Sequence, residues 1–143
     1  MPLENPVFEA SYRRLFGEGV SIGEDAEAFF EQFYDRFLEY PNIPELFAGV
    51  DLSKQVSMLR KSLYHLIACY LFDEPSADLQ RLAAVHRQLG VRTQMFNVWL
   101  DALLATVAAH DPHYDEQVRL AWCWALSPGI TYMKLASRDD GLL

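Results

Sequence analysis

RLAAVHRQLGV, residues 81–91, sets one histidine, His86, into a short run of leucine, alanine and valine that a glycine closes. Leu79, Leu82, Ala83 and His86 recur three and four residues apart, the spacing of one helical face. That spacing predicts a helix over about 77–89, with Gly90 ending it. By itself such a histidine is an ordinary core or surface residue. A cofactor role needs a large apolar slot beside it and a second wall opposite, supplied from elsewhere in the chain.

Outward from this segment the chain reads as helices. On the N-terminal side Leu52, Val56, Leu59, Leu63, Leu66 and Tyr70 predict a long helix. Asp51 or Ser53 can cap it, and Asp73, Glu74 and Pro75 stop it. Before it, PNIPELFAG makes a proline corner at Pro41 and Pro44. Phe29, Phe30, Phe33, Tyr34 and Phe37 share one face of a helix over 25–39. Residues 7–17 form a first helix through Phe8, Tyr12, Leu15 and Phe16. On the C-terminal side Phe96, Trp99, Leu100, Leu103, Leu104 and Val107 mark another long helix, which Asp111 and Pro112 separate from a last one over about 114–137. Pro128 within that helix removes one backbone bond, so a kink or a local break is expected.

Composition narrows the class. The 143 residues fit one domain, 1–143, with a real core, and at 51% hydrophobic the chain is too apolar for disorder. A net charge of −8 repels phosphate backbones and anionic headgroups, so neither nucleic acid nor a membrane surface is an expected partner. MPLENPVFEASYRRLFG carries no basic segment followed by an apolar run, and no stretch approaches the roughly 20 apolar residues of a membrane span. Cys69 and Cys123 read as two thiols in helices rather than a disulfide. A cytoplasmic protein is the expectation. GxGxxG, P-loop, CxxC, HExxH and GxSxG patterns are absent. His110 and His113 flank a helix break and make a weak zinc pattern, better read as turn residues. His65 is read as a histidine without a ligand role.

These segments together resemble the globin family, and in particular its bacterial single-domain members and the haem domains of flavohaemoglobins and sensor globins. FFEQFYDRF, residues 29–37, is similar to the second helix of those proteins, in which a tyrosine points to the distal side of the haem; the match is Tyr34. Phe47 matches the phenylalanine that stacks on the haem at the corner. ELFAGVDLSKQ, residues 45–55, resembles the corner of truncated globins and brings Gln55 to the distal position, with Leu59 one turn on and only ~40° around the helix. RLAAVHRQLGV resembles the proximal helix, with His86 as the iron ligand. Val91, Phe96 and Trp99 match the proximal wall.

The resemblance implies an all-α globin fold, a three-over-three sandwich of six to eight helices around haem b. It implies a five-coordinate iron that binds dioxygen, nitric oxide or carbon monoxide. Tyr34 and Gln55 would donate hydrogen bonds to the ligand, each worth ~1–2 kcal/mol in a dry pocket. Oxygen transport or storage is the first reading. Gas sensing or scaffolding through a protein partner is the alternative, as is nitric oxide dioxygenation with an external reductase. Flavohaemoglobins pair a proximal tyrosine with a glutamate; here Phe96 stands at the tyrosine position and AWCWALSPGITYM offers no glutamate, so peroxidase-like chemistry is not expected. No reductase or signalling domain is expected within these residues. Lys54, Arg87 and Arg92 are candidate propionate partners. Monomer and homodimer both stay open.

Overall fold

The computed structural model of the chain describes residues 5–17 and 26–137. Among them are six α-helices and no strand: α1 (Pro6–Phe16), α2 (Glu27–Phe37), α3 (Leu52–Phe72), α4 (Ala77–Gln88), α5 (Thr93–His110) and α6 (Glu116–Ser137), with a short 3-10 turn at Pro44–Phe47. The start of the expected helix over 25–39 lies partly outside the described residues.

Local chemistry sets the boundaries. Asp51, not Ser53, caps α3: its carboxylate accepts from the Ser53 N–H at 3.0 Å. Asp73 closes the same helix in the left-handed region (φ 59°), where a short polar side chain is tolerated. Ser76 caps α4 by accepting from the Leu79 N–H at 3.1 Å. Gly90 (φ 74°) turns the chain after α4, a conformation that costs glycine nothing.

The helices pack as two layers. α1, α3 and α4 lie over α2, α5 and α6, with α6 touching all three helices of the opposite layer. One continuous apolar core joins them, centred on Phe30, Phe33, Leu63, Leu103, Trp122 and Leu126, all fully buried. α3 and α6 meet at Gly129. A Cβ there would stand 2.7 Å from Leu66 Cδ2 and 3.2 Å from the Leu66 backbone. Alanine would gain about 1 kcal/mol of helix propensity but overpack by about 1–3 kcal/mol, so contact favours glycine.

Of the kink or local break expected at Pro128, the break is not present: α6 runs unbroken through it. Pro128 and its neighbour Ser127 face solvent, as does Trp124, whose carbonyl loses its helical partner. Water can satisfy that carbonyl, so the helix continues. The tryptophans divide: Trp122 is buried, Trp99 is half-buried, and Trp124 lies at the surface against Tyr70, with ring centroids 5.9 Å apart. Both cysteines are free thiols; Cys69 is buried and Cys123 half-buried.

A buried polar junction ties α1 to the α5–α6 corner. Asp111 accepts from Ser11 Oγ (2.6 Å), Arg14 Nε and Nη2 (2.7 and 2.8 Å) and the His113 N–H (2.9 Å). Trp122 Nε1 in turn donates to Ser11 Oγ at 2.9 Å. Burial alone would raise the Asp111 pKa, but the Arg14, Ser11 and His113 hydrogen bonds outweigh it and hold the carboxyl at about 2.

Candidate functional site

His86 sits near the C-terminal end of α4 and is half-buried. Its Nδ1 lies 2.8 Å from the Leu82 carbonyl, one turn back on the same helix. A carbonyl can only accept, so Nδ1 carries the hydrogen. The tautomer follows: Nε2 is left as a bare lone pair, the form in which imidazole ligates a metal, with the second nitrogen held by a main-chain acceptor. The ring lies 6.0 Å from Phe96 of α5, tilted by 33°. The His86 carbonyl accepts from the Val91 N–H at 3.1 Å, which fixes the turn beyond the helix.

The other site residues form a second cluster, on α2, the 3-10 turn and α3. Tyr34 is buried, with Phe47 edge-on to it at 5.7 Å and Phe33 at 5.2 Å. Its hydroxyl donates to the main-chain carbonyl of Gln55 at 3.4 Å. The buried hydroxyl therefore has a partner within the chain. The bond is at the long limit, so the proton is weakly held. Burial pushes the Tyr34 pKa well above the usual tyrosine range, so the group remains a donor at any physiological pH. Gln55 is half-buried, and Leu59, one turn further along α3, is buried. Phe47 and Val91 are half-buried against the core. Trp99 packs on Phe33 of α2, with centroids 5.8 Å apart, rather than on the His86 ring.

Sequence reasoning missed the two main-chain groups, the Leu82 and Gln55 carbonyls. The first was discoverable, since a histidine near the end of a helix reaches the carbonyl four residues back. The second depends on how α2 crosses α3. Val85 and Leu89, the apolar neighbours of His86 in sequence, stand 50% and 70% exposed. Apolar surface of that size beside a metal-ready imidazole fits a flat apolar macrocycle, as do the buried Leu59 and Phe96.

Two of the remaining histidines are otherwise engaged. His110 Nε2 lies 2.7 Å from Gln32 Oε1, and His65 lies 3.5 Å from both Ser76 Oγ and Asp78 Oδ2. Among the described residues no group of three histidine, cysteine or acidic side chains could hold a metal by itself. A surface depression of about 420 Å³ is lined by Arg36, Glu39, Tyr40, Pro41 and Ala105. It shares no residue with the site.

Two layers of three helices, with the histidine helix packed against α3 and α6, define an all-α globin fold. The structure is similar to the crystal structure of a Pseudomonas aeruginosa PAO1 protein described as structurally highly homologous to a human hemoglobin. The two chains are 31% identical, the match covers 94% of this chain and 98% of that one, and the TM-score is 0.76. The chain belongs to this hemoglobin-like globin family. No family model matches it, and no curated protein does so at a significant level. No helix among the described residues is long and apolar enough to cross a membrane.

Proposed function

We propose that the chain is a haem globin that reversibly binds a diatomic gas, with His86 Nε2 as the iron ligand and haem b as the cofactor. The observation that carries this reading is the Nδ1–H bond from His86 to the Leu82 carbonyl, which presents a lone pair at Nε2. Leu59, Phe47, Val91, Phe96 and Trp99 supply apolar walls. Haem bound there would supply a sixth coordination position open to dioxygen, nitric oxide or carbon monoxide.

Tyr34 and Gln55 set the preference among those gases. The tyrosine has one hydrogen to give. It can point to the Gln55 carbonyl or to a polar ligand, not to both. A 3.4 Å bond gives up its hydrogen at little cost, so the ligand gains most of the ~1–2 kcal/mol of a hydrogen bond. Dioxygen, which gathers negative charge when it binds, benefits more than carbon monoxide. The Gln55 amide is a second donor.

The test is direct. The chain supplied with haem is expected to show a Soret band, and His86→Ala to lose it while keeping its helical circular dichroism. A haem-loaded His86→Ala variant with an unchanged Soret band and unchanged affinity sinks the assignment.

A further inference from the structure

We propose that the α3–α4 face that carries the haem site is the docking surface for an acidic one-electron donor protein. The proposal rests on the haem reading above and assigns that site a partner.

Charge is distributed very unevenly. Residues 52–92 hold six of the twelve basic residues and three of the twenty acidic ones, a net charge of +3 against −11 for the rest of the chain. α3 itself carries Lys54, Arg60 and Lys61 and no acidic residue. Lys54 and Lys61 are seven residues apart, so they share one side of the helix with Met58, and His65 continues the stripe. His65 meets Ser76 and Asp78 at the start of α4, so this stripe is the side of α3 turned toward the His86 helix. Arg92 follows at the far end of α4. Lys54, Lys61 and Arg92 are exposed and have no ion pair among the described residues. Asp78, the acidic residue nearest the middle of this face, is paired with Arg81.

Two haem propionates would cancel two of these charges and still leave the face opposite in sign to the rest of the chain. An acidic partner is therefore drawn to this face and repelled by every other one. Such a field selects orientation and raises the association rate more than the affinity. A compact protein fits this better than an anionic bilayer. The bilayer is a plane and would also meet the acidic shoulders Glu45, Asp51, Asp73 and Glu74 at the ends of the face. Exposed Met58, Val85 and Leu89 provide apolar contact within the basic rim.

The chemistry served is re-reduction. Gas binding of this kind uses ferrous haem. Once the iron is ferric, a reduced flavin or iron–sulfur protein loses one electron and the haem gains it; no proton or group is transferred.

The experiment uses the haem-loaded ferric chain mixed anaerobically with a reduced flavodoxin, an acidic one-electron flavoprotein. The bimolecular reduction rate is expected to fall about tenfold between roughly 10 and 300 mM salt. Lys54→Glu with Lys61→Glu should lower the low-salt rate by about tenfold and flatten the salt dependence, whereas Arg13→Glu on α1 should change it less than about twofold. An equal fall in Arg13→Glu, or no salt dependence in the parent, overturns the proposal. Tighter association with phosphatidylglycerol vesicles than with the flavodoxin also overturns it, in favour of a lipid surface. Amide shifts on titration with oxidised flavodoxin give a readout independent of electron transfer: they support the proposal if confined to α3 and α4 and overturn it if they fall on α1, α5 or α6. A chain that takes up no haem refutes the haem reading, and the amide shifts still decide the docking surface.

Discussion

The α1–α6 junction and the α3–α4 face are built on opposite terms. At the junction the buried polar groups are matched: Asp111 accepts four hydrogen bonds, Ser11 both donates and accepts, and Trp122 donates. On the α3–α4 face the bonds are incomplete. His86 offers a lone pair with no donor to meet it among the described residues, Tyr34 holds a carbonyl at the long limit, and Val85 and Leu89 face solvent. One region is finished by the chain alone, and the other is, on the proposed reading, left for a ligand to finish. Stability belongs to the first and function to the second, because a group already satisfied within the protein has nothing left to offer a cofactor.

The largest expected effect would break the junction. Asp111→Ala leaves Arg14 and Ser11 without their partner and should cost about 3 kcal/mol by chemical denaturation. That is the low end for a buried pair, because Arg14 is partly solvated. A loss below about 1 kcal/mol would show that the network is ornamental. Next, haem addition should complete the other region. Saturating the chain at a hundredfold excess over Kd should stabilise it by about 2.7 kcal/mol, with amide-exchange protection rising in α4 and α3 and unchanged in α1. Uniform protection would erase the contrast between the two regions.

Acid should act on the junction alone. The Asp111 pKa is depressed in the folded chain, from 3.8 to about 2. Its stabilisation is therefore present above the unfolded value and lost as pH falls through the folded one. About 2 kcal/mol should disappear between roughly pH 5 and pH 2, and Asp111→Asn should remove that part of the pH dependence. The smallest effect sharpens the distal side. Tyr34→Phe should speed dioxygen loss about tenfold, or ~1.4 kcal/mol, and carbon monoxide loss much less. Equal acceleration of both gases would mean that the hydroxyl acts by packing and not by hydrogen bonding.

Much of the fold was legible in the sequence for local reasons. Asp51, Ser76 and Gly90 announce helix ends through chemistry confined to a few residues, and the periodic leucines and phenylalanines announce the buried faces. The site was legible only as an ordered set. His86 alone could not be told from a core histidine, and it was the resemblance, through Tyr34, Phe47, Gln55 and Leu59, that gave it a partner wall. Trp99 packs on Phe33, a neighbour that depends on how α2 crosses α5 and that no local pattern announces. At Pro128 a local rule allowed a kink or a break, and the solvent-facing position of the proline removed the reason for a break.

By itself the sequence determined the helices and the charge asymmetry, because each is fixed within a few turns of chain, and it offered the candidate iron ligand only through the ordered set of residues around it. Tertiary structure alone decided the Asp111 junction, the Gly129–Leu66 contact and the Tyr34–Gln55 bond. The Asp111 and Ser11 side chains are 100 residues apart in sequence and 2.6 Å apart in space. No local periodicity encodes such a pairing; it exists only once two layers of helices have closed on a shared core.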